Sequence, residues 1–259
     1  MAHELFIAAA GLIAGTMNAL AGGGSFVTLP ALIAVGVPSV QANASSTVAL
    51  FPGGLASAWA YRDGLGPVGP VSLRALLVAT LIGGAIGASL LLSTPARAFD
   101  LMLPWLLLLA TIALALGPQI GAWLRARYQV RPAAAVVIQF ALGIYGGYFG
   151  GAVGIMMLAT WGLLDARGVK VLNGPRTLLV TAANTMAVLI FVTENAVRWP
   201  QTLIMLAAAA AGGYGGAHLG RRLPANVTRR TTLLLTAAIT VAFYVRAYVC
   251  RSPVPNPMG

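Results

Sequence analysis

Eight apolar stretches follow one another with little between them, at about 5–36, 44–60, 72–92, 100–117, 133–164, 177–193, 200–220 and 231–249. A helix needs roughly 20 apolar residues to cross the hydrocarbon core of a bilayer. A chain built this way therefore buries its apolar surface against lipid. Only 8% of its residues are charged and 59% are hydrophobic, whereas a soluble domain carries roughly a quarter charged residues. The expected fold class is an all-α polytopic membrane protein, with roughly seven to nine hydrophobic segments by simple count.

The first and fifth stretches are too long for one straight crossing, and both carry glycine clusters where a helix is weakest. These are Gly22-Gly23-Gly24, and Gly146-Gly147 through Gly150-Gly151 to Gly154. Both stretches are expected to be broken. The two halves of the chain also match. Gly11, Gly15, Gly22, Gly36 and Val37 pair at one spacing with Gly143, Gly147, Gly154, Gly168 and Val169, and Gly83-Gly84-Ala85-Ile86-Gly87-Ala88 aligns with Gly212-Gly213-Tyr214-Gly215-Gly216-Ala217. The pattern predicts a duplication: a first transmembrane repeat over 1–117, a linker over 118–132, a second repeat over 133–250 and a short polar tail over 251–259.

Charge decides how the repeats are related. Cytoplasmic loops hold the excess of Lys and Arg, and eight full spans give no clear bias. If each broken stretch enters and leaves on one side as a re-entrant hairpin, one side collects Arg62, Arg74, Arg125, Arg127, Arg131, Arg167, Lys170, Arg176, Arg221, Arg222, Arg229 and Arg230. The other side keeps Arg97, Arg198, Arg246 and Arg251. Three full spans plus one hairpin per repeat make the repeats inverted, the architecture of secondary transporters whose site lies at the repeat interface.

That places the candidate site at the two glycine clusters. A helix restarting after Gly22, Gly23, Gly24 and Ser25 aims unpaired N–H groups and a positive dipole end inward, a favourable place for an anion. Gly147, Gly150, Gly151 and Gly154 supply the facing half, with Tyr148 beside them. Tyr145, Tyr148 and Phe149 also fit interfacial anchoring or packing. Around them gather Asn18, Asn43, Ser45, Ser46 and Thr47 in the first repeat, and Asn173, Arg176, Thr177 and Asn184 in the second. Asn18, Asn43, Ser46, Thr47, Asn173 and Arg176 are the candidates to orient the anion, Arg176 as the cation. Gly83-x-x-x-Gly87 and Gly212-x-x-x-Gly216 read instead as close helix packing.

Several function classes lack the residues they need. Glu4, Asp63, Asp100, Asp165 and Glu194 all fall at segment ends, which leaves no buried acid for a proton relay or cation site. There is no His/Cys/Asp/Glu cluster for a metal and no nucleophile beside a base, so no cofactor and no enzyme chemistry is expected. The net charge of +11 is spread between apolar stretches and fits topology, not nucleic acid. The expected partners are the lipid bilayer and a small anionic substrate. A small-anion channel is the alternative, since half-helices and glycine also build selectivity filters.

The motif Ala14-Gly15-x-x-Asn18-Ala19-x-Ala21-Gly22-Gly23-Gly24-Ser25 with Pro30-Ala31-Leu32, then Gly36-Val37-Pro38 and Ala42-Asn43-Ala44, resembles the sulfite exporter TauE/SafE family, also called the TSUP permeases. The second half agrees through Tyr145-Gly146-Gly147-Tyr148-Phe149-Gly150, Gly154-Ile155-Met156-Met157-Leu158 and Trp199-Pro200. The resemblance runs from about Leu5 to Tyr248 and implies a prokaryotic plasma (inner) membrane carrier of sulfite, sulfonates or related organosulfur anions. One stretch departs from the pattern. Relatives similar to this chain carry an Asn-Ala-Leu-Lys-like run where Asn173-Gly174-Pro175-Arg176 stands, and Pro175 removes a backbone donor there.

Overall fold

Both overlong stretches are broken where the glycines stand. The computed structural model describes residues 1–21, 23–127, 131–162, 164–165, 167, 169–220 and 225–249. Among these, the first stretch forms α1 (Ala2–Ala21) and α2 (Ser25–Ala34), and the fifth forms α6 (Pro132–Tyr148) and α7 (Val153–Trp161). The remaining helices are α3 (Ser39–Ala60), α4 (Leu73–Ser93), α5 (Ala96–Arg127), α8 (Val169–Thr193), α9 (Trp199–Gly220) and α10 (Ala225–Tyr244). The only β pairing among the described residues is an isolated bridge between Val68 and Val71. Helix α5 continues through most of the stretch expected as linker, to Arg127.

The second break needs unusual backbone. Gly150 has φ +75° and Ala152 has φ +58°, so the chain makes a left-handed turn between α6 and α7. The left-handed conformation is free for glycine and costs an alanine of order 1 kcal/mol, which the surrounding packing must hold in place. At about 1.5 Å per residue, α2 with 10 residues and α7 with 9 reach only about half of the hydrocarbon thickness.

Each short helix folds back along its long partner. A Cβ added at Gly24 would lie 2.9 Å from the Ala14 carbonyl oxygen, and beyond the far end of α2, Val35 shares a recess with His3, Glu4 and the Pro200–Gln201 start of α9. In the second hairpin Val153 packs on Gly146, and the Trp161 indole donates to Gln139 Oε1 at 3.1 Å. Both hairpins thus open at the end from which they enter.

Helix α3 shows that these are opposite ends. Near its start, Ser45 and Gln41 accept hydrogen bonds from Arg198, just before α9 and beside the open end of the first hairpin. Just past its finish, Tyr61 and Gly64 lie against Gly174 near the start of α8. There the Gly69 amide donates to Asp165 Oδ2, beyond the open end of the second hairpin, at 3.0 Å. With 22 residues, α3 spans about 33 Å between the two. The hairpins therefore enter from opposite faces, and the repeats are inverted.

The repeats also interlock. The two most extensive helix contacts are α1 on α9 and α4 on α6, and these are one contact seen twice when α1 is matched with α6 and α4 with α9. Both are glycine-lined parallel crossings. Side chains at Gly83 and Gly87 would run into the α6 backbone at Phe140 and Ile144, and side chains at Gly212 and Gly216 into α1 at Leu12 and Thr16. Backbone approach this close is how helices associate where lipid is as apolar as leucine. The packing expected of these two glycine motifs is present.

Among the described residues, four helical spans are long and apolar enough to cross a membrane: Leu73–Ser93, Ala96–Gly117, Val171–Thr193 and Arg230–Tyr248. Outward faces carry large apolar side chains, among them Leu12, Val78, Ile82, Trp105, Leu109 and Leu203. The buried core divides in two. Phe26, Leu29 and Leu32 of α2 pack with Phe99, Phe149 and Phe191, whereas Met157 and Trp161 of α7 pack with Val68, Leu76 and Leu179.

Candidate functional site

A cavity of about 110 Å³ lies between the two hairpins. Its longer walls are one face of α3 and one face of α8. Thr47, Leu50, Gly54 and Ser57 recur at helical spacing on the first, and Thr177, Val180, Thr181 and Asn184 on the second. Thr47, Leu50 and Gly54 match Thr177, Val180 and Asn184 at the same spacing that matches Asn43 with Asn173. The cavity therefore sits on the axis that relates the repeats. Both threonines are held in the same way, since Thr47 Oγ1 donates to the Asn43 carbonyl at 3.0 Å and Thr177 Oγ1 to the Asn173 carbonyl at 2.9 Å. Thr181 Oγ1 ties the walls together by donating to the Gly54 carbonyl at 3.0 Å.

The ends of the broken helices complete the lining. Asn18 comes from α1, Ser25 opens α2, Gly150 sits in the left-handed turn, and Val153 and Gly154 open α7. The first turn of a helix carries its positive dipole end, although here the amides of Phe26, Val27 and Ile155 already donate to the Gly23, Gly24 and Ala152 carbonyls. Two such ends converge here. Asn184 Oδ1 is buried without a hydrogen-bond partner among the described residues, beside Gly150.

Arg176 supplies the charge. It is half-buried, it is the one charged residue of the lining, and its guanidinium makes no hydrogen bond or ion pair among the described residues. Arg62, Arg167 and Arg198 by contrast are engaged with the Trp59 carbonyl, Asp165 and Gln41. Gly154 makes room for the arginine stem, since a Cβ there would already stand 3.5 Å from Arg176 Cδ and 3.2 Å from Val180 Cγ2. Pro175 lies inside α8, and Arg176 still reaches the cavity. With no carboxylate among the described lining residues, the field inside is positive and suits an anion.

The structure brings together six of the residues expected from sequence: Asn18, Ser25, Thr47, Gly150, Gly154 and Arg176. Gly22 lies outside the described residues. Gly23 and Gly24 form the buried turn behind Asn18. Asn43 and Ser46 are buried one turn toward the first end, where Asn43 Nδ2 donates to the Tyr148 carbonyl at 2.9 Å and the Ser46 hydroxyl pairs with that of Thr28. Gly147 presses on the backbone of Gly84, and Gly151 faces the Phe149 ring. Tyr148 turns its ring onto Phe99 and its hydroxyl to Thr94. Asn173 stands half-buried toward the second end. Leu50, Gly54, Ser57, Val153, Val180 and Thr181 were not anticipated. Continuing the helical spacing from Thr47 and Thr177 would have found all but Val153.

Beyond the cavity, Asp165 fastens the second hairpin. Its carboxylate takes Arg167 Nε at 2.9 Å and the amides of Arg167 and Gly69, each at 3.0 Å. The Arg167 side chain, with help from the two amides, holds the Asp165 carboxyl well below the ordinary carboxylate range. Arg167 also donates to the Pro67 carbonyl at 2.7 Å.

The chain is similar to known membrane proteins over most of its length. The family model described as sulfite exporter TauE/SafE matches residues 7–243. This chain belongs to the sulfite exporter TauE/SafE family. Its relatives include a probable membrane transporter protein of Haemophilus influenzae, 27% identical over 92% of this chain and 90% of that protein. Another is the probable membrane transporter protein ORF9 of a Sinorhizobium species, 28% identical over 93% and 90%. A third is the probable membrane transporter protein YfcA of Escherichia coli K12, 28% identical over 82% and 77%. No solved structure matches the chain. The TauE/SafE protein described here is a multi-pass membrane transporter of the bacterial inner membrane.

Proposed function

We propose that this TauE/SafE protein is a secondary carrier of a small anion, containing sulfur or a carboxylate, that works by alternating access between its inverted repeats. One observation carries the reading: Arg176, a cation that makes no hydrogen bond or ion pair among the described residues, faces a cavity bounded by two helix N-termini and with no carboxylate among its described lining. An anion of a few heavy atoms suits such a site. The positive-inside rule puts the second end, with Arg62, Arg74, Arg127, Arg131 and Arg167, in the cytoplasm. The first end carries Arg97, Arg198 and Arg246. The sulfite named by the family description sets the first anion to try.

The test is uptake of radiolabelled sulfite, sulfoacetate and taurine into proteoliposomes, with Arg176→Gln beside the parent. Saturable uptake with counterflow from preloaded vesicles, lost in Arg176→Gln, is the expected result. Conductance without counterflow would make the protein a channel. Undiminished transport in Arg176→Gln would remove the site from this cavity.

A further inference from the structure

We propose that Asn43 and Asn173 are the paired latches of a two-sided gate, and that the structure shows the first latch closed and the second open. The proposal deepens the carrier reading above and rests on it. The two residues stand at matched positions of α3 and α8, each followed four residues later by a threonine that donates back to its carbonyl. Their backbone settings are alike. Their side chains are not.

Asn43 is 2% exposed, and its amide reaches out of its own repeat to donate to the Tyr148 carbonyl, at 2.9 Å. Tyr148 ends α6, so its carbonyl belongs to the last turn of a helix and needs an external donor. The same layer holds the Ser46–Thr28 hydroxyl pair and Ser45, whose Oγ accepts from the Arg198 amide at 2.9 Å. Ser45 and Ser46 are 0% and 1% exposed. These three links join the first repeat's α3 to α6, to α2 and to the start of α9. They seal the cavity from the first end one turn beyond Thr47.

Asn173 has no such link. It is half-buried, and its side chain makes no hydrogen bond among the described residues. On that side the lining extends along α3 to Ser57, within a turn of the helix end, and along α8 to Arg176. An amide without a partner, at the position whose twin is fully engaged, marks the bond that the other state makes. In that state the Asn173 amide donates to a backbone carbonyl at the end of α1, the partner of its own hairpin break. Asn43 then releases Tyr148. Because one amide bond replaces the other, the two states differ little in energy, as a carrier requires.

The test needs no substrate. In a Cys250→Ser background, Leu50→Cys places a thiol in the cavity, and a membrane-impermeant maleimide is applied from each face of oriented vesicles. The expected parent labels mainly from the face of the second end. Adding Asn43→Ala is expected to raise first-end labelling several-fold. Adding Asn173→Ala is expected to lower it below the parent. Asn173 makes no bond in this state, so its replacement leaves folding intact and tests the proposal even if Asn43→Ala is unstable. First-end labelling unchanged by Asn43→Ala, or raised by Asn173→Ala, would overturn the latch. Labelling that shifts as expected in a protein moving none of the three anions would uphold it and put only the substrate reading at fault.

Discussion

The first turns of α3 and α8 stand at matched positions and do opposite things. At the first end Asn43, Ser45 and Ser46 are buried in a bonded layer with Phe149 behind them. At the second end Asn173 is unbonded among the described residues and Arg176 faces open volume. Pro175 and Arg176 stand where Ser45 and Ser46 stand, so the second end lacks two of the hydroxyls that seal the first, and the contrast lies both in these residues and in which helices meet at each end. A duplicated, inverted chain can be symmetric in sequence and asymmetric in any one conformation, and that asymmetry separates a carrier from a fixed scaffold.

The comparison breaks most completely if the frame that holds both ends is lost. Gly87→Leu drives a side chain into the Ile144 carbonyl. Since over-packing costs roughly 1–3 kcal/mol even without backbone collision, we expect no folded protein by size-exclusion chromatography in detergent. A monodisperse, full-yield variant would mean that α4 and α6 can separate without harm.

The next largest effect belongs to the open end. Arg176→Gln removes the cavity's cation and is expected to cut transport roughly 10- to 100-fold, the range of a hydrogen bond to a charged group. Arg176→Lys should recover part of it. Gly154→Ala is smaller, because its Cβ meets only the flexible arginine stem and one Val180 methyl. We expect a rise of a few-fold in KM, with the maximal rate kept, in concentration-dependent uptake.

The smallest effect lies outside the gate. Asp165→Asn should lower the melting temperature by a few degrees without altering first-end labelling. Asp165 has a folded-state pKa below its unfolded value of about 3.9. Its stabilisation is therefore fully present above that value and fades as pH falls through the folded pKa. Melting curves of parent and variant should run parallel from about pH 5 to pH 8 and converge only in strong acid.

Much of this was legible in the residues because bilayer chemistry is restrictive. Unpaired backbone is tolerated in the membrane only where protein or water covers it, so Gly22–Gly24 and Gly146–Gly154 could be read as breaks before any coordinates. Arg176 and Asn18 followed from being polar beside those breaks. Asn43 and Ser46 did not separate from Thr47 in the same way, since all three are short polar residues on one turn of α3. Only the packing of α6 and α2 decides which of them meets protein and which meets the cavity. Tyr148 and Gly147 went astray for a related reason. A glycine beside a break serves close packing as readily as ligand contact, and here Gly84 occupies the space above Gly147.

The interlocked pairs also constrain how the protein is made. Helix α1 leaves the ribosome well before α9, and the glycine face at Gly11 and Gly15 finds its partner only when α9, at Trp199–Gly220, has been inserted. Until then the glycine face of α1 waits in the bilayer without its partner. Assembly cannot proceed repeat by repeat. The order of synthesis leaves this contact unmade until α9 arrives, which makes the interval between the two insertions the period when a membrane chaperone or a quality-control protease has something to recognise.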